Sequence, residues 1–247
     1  MSFTGRFSDR ADDYAAARPS YPDAALDVLF DGLGDPREVT AADLGAGTGI
    51  SSRLLAERGA LVLAIEPNEA MRRAAEPHPR VEWIAASAEH TGLAEASVDL
   101  ATAFQAFHWF DPPHALTELV RILRPGGRAA LLYNERDESD PFTAAYGDLV
   151  RKYQTDDTER RRADAIDVFL AFEAWVARHR IEVRNPHEID EEGVIARARS
   201  SSYLPKDGPV ANDLHRELRA LFARCAHDGR VVMAMRTIVA TADVGAG

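Results

Sequence analysis

The amino-acid sequence predicts an α/β fold in which helices cover a mostly parallel sheet, and three observations carry that expectation. Short apolar runs alternate with helical segments through the first half of the chain. A glycine-rich turn, Gly45-Ala46-Gly47-Thr48-Gly49, stands where the first apolar run gives way to a helical pattern. The chain's 247 residues, 46% of them hydrophobic, suffice for one domain with a sizeable core.

The elements follow in order. Residues 38–44 read as a first strand, and 50–58 as a helix with Ile50, Leu54 and Leu55 on one face, stopped by Gly59. Residues 61–66 form a second strand, after which Asn68 caps a helix running to about Glu76. Strands at 81–85 and 97–104 come next, then a helix opened by Pro112-Pro113. The turn Arg124-Pro125-Gly126-Gly127 leads into a strand at 128–134. Beyond it, residues 141–180 read as helical, with Phe169, Phe172 and Trp175 as an apolar stripe. Residues 181–184 and 231–242 read as late strands, and 191–199 and 210–226 as helices between them. The second half is therefore expected to hold the sheet's last strands and a helical insertion that covers a pocket.

Composition narrows the function. A net charge of -11 disfavours a phosphate backbone as partner, and the run Glu159-Arg160-Arg161-Arg162, set among Asp156, Asp157 and Asp164, reads as a solvated helix face. No apolar run approaches the roughly 20 residues that a bilayer requires, and residues 1–18 hold no signal-peptide core. The single cysteine, Cys225, permits no internal disulfide and no metal-binding cluster. A cytoplasmic enzyme without a metal is the expectation.

Four segments carry chemistry. Glycines at 45, 47 and 49 let backbone N–H groups approach a ligand with no Cβ in the way, as in many nucleotide sites. The dinucleotide pattern wants its third glycine three positions after the second, where this chain has Ile50. Asp43 would repel a pyrophosphate but tolerate a cationic, amine-bearing ligand. Glu66, at the end of the second strand, offers an acceptor-only fork for two ribose hydroxyls. After the third strand, Ser87 and the backbone of Ala88 are placed to read a base edge, or simply to connect. The loop Phe104-Gln105-Ala106-Phe107-His108-Trp109-Phe110-Asp111 has the aromatic content of a pocket wall. Within it Gln105 could bind a ligand tail, and His108 could serve as a catalytic base or merely sit half-buried.

Together these segments resemble the class I S-adenosylmethionine-dependent methyltransferases, in particular the small-molecule group that includes the ubiquinone-biosynthesis and trans-aconitate methyltransferases. The resemblance rests on the turn at 43–49, Glu66-Pro67, Ala88-Glu89, the loop at 105–111 and the turn at 124–127, with an opening stretch Phe7, Tyr14, Arg18-Pro19-Ser20-Tyr21-Pro22. It implies a Rossmann-like, seven-stranded, mostly parallel sheet whose last strand is antiparallel, flanked by helices, with a helical lid insertion in the C-terminal half. It divides the single domain into an N-terminal helical cover (1–37), a cofactor-binding core (38–134) and the lid with the last strands (135–247).

It also implies S-adenosyl-L-methionine as cofactor and S-adenosyl-L-homocysteine as product. Gly45, Ala46, Gly47 and Gly49 would pack on the methionine and ribose, with Asp43 near the amino group. Glu66 would hold the ribose, Pro67 and Met71 would flank the adenine, and Ala88 would meet its edge. Many relatives carry Asp where this chain has Ser87, so an adenine contact there is a departure. Gln105, Tyr14 and Arg18 would lie about the methionine tail. The acceptor would be a small molecule, neither nucleic acid nor membrane. Arg197, Arg199, Ser202 and Tyr203 would suit a carboxylated one if they faced the pocket, a solvated helix face being the simpler reading. A nucleotide-dependent oxidoreductase binding NAD and a non-catalytic cofactor-binding protein are the competing readings.

Overall fold

A computed structural model describes residues 20–246. Tyr14 and Arg18 lie outside the described residues. The chain runs α1 (Asp23–Phe30), β1 (Thr40–Leu44), α2 (Ile50–Glu57), β2 (Leu61–Ile65), α3 (Glu69–Arg73), β3 (Val81–Ile84), β4 (Val98–Phe104), α4 (Pro112–Ile122) and β5 (Leu123–Arg136). It continues through α5 (Pro141–Tyr153), α6 (Thr158–Leu170), β6 (Ala177–Arg184), β7 (His187–Ile189), α7 (Glu191–Ser200), α8 (Gly208–Cys225), β8 (Val231–Met233) and β9 (Met235–Asp243).

The main sheet has seven strands in the order β3-β2-β1-β4-β5-β9-β6. The first five are parallel, and β9 alone runs against its neighbours β5 and β6. That is the expected sheet. Successive residues of its central strands bury opposite faces, as a sheet covered on both sides demands. Ala42, Leu44, Ala101 and Leu131 meet one core together with α4 and α6, whereas Ala41, Leu100, Ala130 and Leu132 meet another with α1 and α2. A third cluster lies in the C-terminal half, where Phe142, Tyr146, Leu214, Leu218 and Met233 join α5, α7, α8 and β8.

Three expected elements come out differently. The helical stretch expected over 141–180 ends at Leu170, and β6 starts at Ala177, because the Trp175 indole N–H donates to the Phe169 carbonyl (2.9 Å) and folds the chain back. The apolar stripe of Phe169, Phe172 and Trp175 packs into the main core. The strand expected over 231–242 breaks at Ala234, whose N–H donates to the Thr143 hydroxyl and whose carbonyl accepts from Asp137. Once those groups are taken, β8 pairs with β7 in a separate two-stranded sheet while β9 enters the main one. The third is β5, which begins at Leu123, five residues earlier than expected, with a register shift opposite 98–100. Among the described residues no helix is long and apolar enough to cross a membrane, and no group of three His, Cys, Asp or Glu side chains could hold a metal ion.

Candidate active site

Strand order reverses at β1: β2 and β3 lie on one side of it, β4 and β5 on the other. The crevice beyond the carboxyl ends of β1 and β4 is where such sheets bind ligands. Two loops build it, the glycine turn after Leu44 and the aromatic loop after Phe104.

The glycine turn is shaped from both sides. Gly45 has φ +69°, and a Cβ there would stand 2.7 Å from the Ala106 methyl, so nothing larger fits between the two loops. Gly47 also has a positive φ, +58°, but open space lies where its Cβ would be, leaving a bare backbone cradle. Beneath the turn, Asp43 is fully buried. Its Oδ2 accepts from the Ser51 and Ser52 hydroxyls (2.6 and 2.7 Å) and its Oδ1 from Thr102 (3.1 Å). Burial pushes the carboxyl up to about 6, against the pull of those hydroxyls. Expected near a ligand's amino group, Asp43 instead points inward, ties the turn to α2 and β4, and does not line the cavity.

Glu66 anchors the middle of the turn. Its Oε2 accepts the Gly47 N–H (3.0 Å) and its Oε1 the Asn68 N–H (2.8 Å). Burial raises its pKa, the two N–H groups and Arg72 opposing that rise. Each oxygen keeps a lone pair beyond those bonds, the capacity that a pair of ribose hydroxyls requires. The Asn68 side chain caps α3, which carries the buried Met71, while Pro67 is exposed. Ser87 forms an isolated bridge with His90 and is half-buried; Ala88 packs in the main core. Glu66, Pro67 and Met71 thus follow β2, and Ser87 and Ala88 follow β3, with Ala88 packed against the loop after β4. A bare cradle at Gly47 next to a carboxylate with spare acceptor capacity fits an adenosine-bearing ligand.

On the β4 side a cavity of about 350 Å³ opens. Gly45, Ala46, Gly47 and Thr48 line it from below, Gln105, His108 and Trp109 from the side, and Tyr146, Arg197 and residues 200–203 from the lid. Gln105 has φ +54°, a sparsely populated conformation for a residue with a side chain. It is held there by its N–H to the Leu132 carbonyl (2.9 Å) and its amide to the Asn134 carbonyl (3.2 Å). The aromatic loop divides its labour. Phe107 is buried against Phe110 and Phe169, whereas His108 and Trp109 reach the cavity. The His108 backbone N–H and its Nδ1 both lie 3.1 Å from the Tyr133 hydroxyl, itself fully buried.

Sequence reasoning missed the α6 contribution. Within the run expected to be a solvated face, only Arg160 is exposed. Arg161 lies over the Trp109 ring (5.1 Å to its centre), Glu159 binds Arg136, and Arg162 donates to Gln105 Oε1 (2.9 Å) and the Asn134 carbonyl (3.1 Å). The signal was present in the helical spacing of Glu159, Arg162, Ile166 and Phe169, which marks one inward face. On α7 the two arginines separate: Arg197 lines the cavity and Arg199 is exposed.

Comparison with known proteins agrees with this geometry. Residues 42–131 match the methyltransferase domain family. An uncharacterized methyltransferase of Mycobacterium tuberculosis is 37% identical over 182 residues, covering 72% of this chain and 70% of that protein. A provisionally assigned type II methyltransferase of Anaeromyxobacter dehalogenans is 29% identical, with a TM-score of 0.65 over 92% of this chain and 97% of that one. The fold is shared with a phosphoethanolamine N-methyltransferase of Haemonchus contortus solved with S-adenosylhomocysteine and phosphomonomethylethanolamine, at 14% identity, a TM-score of 0.56, and coverage of 99% and 60%. With the strand order, the glycine turn and the glutamate that anchors it, these likenesses place the chain in the class I S-adenosylmethionine-dependent methyltransferases.

Proposed function

We propose that the methyl acceptor is a small molecule, held in the cavity between the glycine turn and the lid. The carrying observation is that cavity's extent: about 350 Å³, floored by Gly45, Ala46 and Gly47 and roofed by Tyr146, Arg197 and Tyr203. That volume has to take the methionine end of the cofactor along its glycine floor as well as the acceptor beneath the lid, which restricts the acceptor to metabolite size. S-adenosylmethionine, when bound, supplies a methyl group made electrophilic by its sulfonium.

The chain's own residues supply the rest. Glu66 is assigned to the ribose hydroxyls, Gly47 to close backbone approach, Met71 and Ala88 to the adenine, and Gln105 to the methionine tail. Asp43 acts from beneath, holding the turn in place for them. Methyl transfer is an in-line displacement, so acceleration comes mainly from alignment at attack distance, worth roughly 7–11 kcal/mol in well-oriented systems. Asn134, Gln105 and Arg162 form one hydrogen-bonded wall for that alignment. A base is required only for an acceptor that arrives protonated.

The test is a labelled-methyl screen against small acids, phenols and amines. Transfer to at least one class, abolished by excess S-adenosylhomocysteine, is the expected result. Transfer to a protein or nucleic acid alone would overturn the small-molecule assignment.

A further inference from the structure

Residues 85–97 join β3 to β4, and α4 holds them along their length. A tight turn runs from Ser87 to His90, bridged by the His90 N–H to the Ser87 carbonyl (3.3 Å). Thr91, the next residue, is fully buried. Its backbone N–H and its hydroxyl both donate to Glu118 Oε1, the N–H at 2.9 Å. The Leu93 N–H donates to the Thr91 hydroxyl (3.2 Å), and the Leu93 carbonyl accepts from Arg121 (2.7 Å). Arg121 also grips Glu118 at both oxygens, at 2.7 and 2.8 Å. At the tip of the turn Glu89 accepts the N–H of Asp111, the residue before α4 (2.9 Å).

Glu118 is 7% exposed and does not line the cavity. The Arg121 guanidinium, with the Thr91 donors, holds its carboxyl well below the usual carboxylate range, at about 2, so it is ionised at neutral pH. A buried ion pair adds little stability over apolar side chains of the same volume, and its use lies more in holding neighbours in register. Here the neighbour is the turn. Ala88, at its tip, is 4% exposed, and among the described residues its backbone N–H has no hydrogen-bond acceptor. A nearly buried donor without a partner is costly unless a ligand supplies the acceptor. Adenine presents one at N1, beside its amino group. Hypoxanthine carries a hydrogen at N1 and a carbonyl in the amino group's place.

We propose that Glu118 is a positioning residue for base recognition. Acting through Thr91 and Arg121 from outside the ligand crevice, it sets the Ala88 N–H against the adenine edge and so sets the preference for adenine over hypoxanthine. The proposal rests on the assignment of Ala88 to the adenine made above. Thr91 stands only three residues from Ala88, so releasing Thr91 lets the Ala88 donor move. A shift of about 1 Å is enough, because the useful range of such a bond spans only about 0.5 Å. Against hypoxanthine the same N–H meets a second donor. Tight placement penalises that base, and loose placement forgives it.

The test is calorimetric titration of the full chain with S-adenosylhomocysteine and with S-inosylhomocysteine, its deaminated counterpart. The wild-type chain should prefer the adenine ligand by about tenfold or more. Glu118→Ala should cut that preference to within about threefold, chiefly by weakening S-adenosylhomocysteine. Glu118→Gln, which keeps an acceptor for the Thr91 N–H, should restore most of it. Thr91→Val, of like shape but without the hydroxyl, should fall between the wild type and Glu118→Ala, and carries the test if the Ala variant does not fold. The ratio of the two affinities is the deciding readout, since a merely structural role would lower the melting temperature as well. Loss of both ligands in parallel, with the preference intact, would make Glu118 structural only and overturn the proposal. Unchanged affinities for both ligands in the variants would overturn it too. A wild-type chain that binds both ligands equally would instead overturn the reading of Ala88 at the adenine edge, and this proposal with it.

Discussion

Two carboxylates, Asp43 beneath the glycine turn and Glu66 at its middle, do different work. Glu66 spends one lone pair of each oxygen on a backbone N–H, and the proposed function gives the others to the ribose. Replacing Glu66 by Ala should remove two charge-assisted hydrogen bonds to the ribose, about 3 kcal/mol, or roughly a hundredfold in S-adenosylhomocysteine affinity. Unchanged affinity in calorimetric titration would contradict that role. Asp43 spends its oxygens on Ser51, Ser52 and Thr102, and burial holds its carboxyl at about 6 rather than 3.8. Its folded pKa is raised, so between those two values the native state holds a proton that the unfolded chain has lost. Stability attributable to Asp43 is therefore greatest at low pH and declines as pH rises toward about 6. Asp43→Asn should flatten that part of the stability–pH curve, read by denaturant unfolding at several pH values. An unaltered curve would mean that the group is not so perturbed.

At the scale of elements, the turn and α6 are the parts on which the site depends. Gly45→Ala puts a Cβ 2.7 Å from Ala106 in a backbone conformation unsuited to it, and should cost about 2 kcal/mol or more in unfolding free energy. A cost within a few tenths would show that the two loops can part. Phe169→Ala should cost about 3–5 kcal/mol, because that ring seats α6 against Phe107 and Trp175. The first half of the fold was legible because each strand there is a short apolar run and each boundary is marked by Gly, Pro or Asn. The second half was harder to read for a local reason. Ala234, an ordinary apolar residue inside a continuous apolar run, breaks that run only because Thr143, distant in sequence, takes its N–H. Arg162 was overlooked because an Arg-rich run beside aspartates resembles a solvated face, and only its spacing to Ile166 and Phe169 tells otherwise. The place of Glu66 after a strand is legible in the sequence, whereas its bond to the Gly47 N–H is not, and the inward turn of Asp43 depends on hydroxyls that carry no sequence motif.

At the scale of the whole molecule, the parallel half brings a nucleotide cradle to the ends of β1, β2 and β3, and the C-terminal half folds its own core over the β4 side. A ligand in that crevice touches both halves, so its binding should stabilise the chain as a whole. At a hundredfold excess over its dissociation constant, S-adenosylhomocysteine should add about 2.7 kcal/mol to unfolding and raise the melting temperature accordingly. The most direct test of the central claim is calorimetric titration of the same protein with S-adenosylmethionine, S-adenosylhomocysteine and NAD. Saturable binding of both sulfur compounds, with none of NAD, is the predicted result. Saturable NAD binding with no response to either sulfur compound would contradict it.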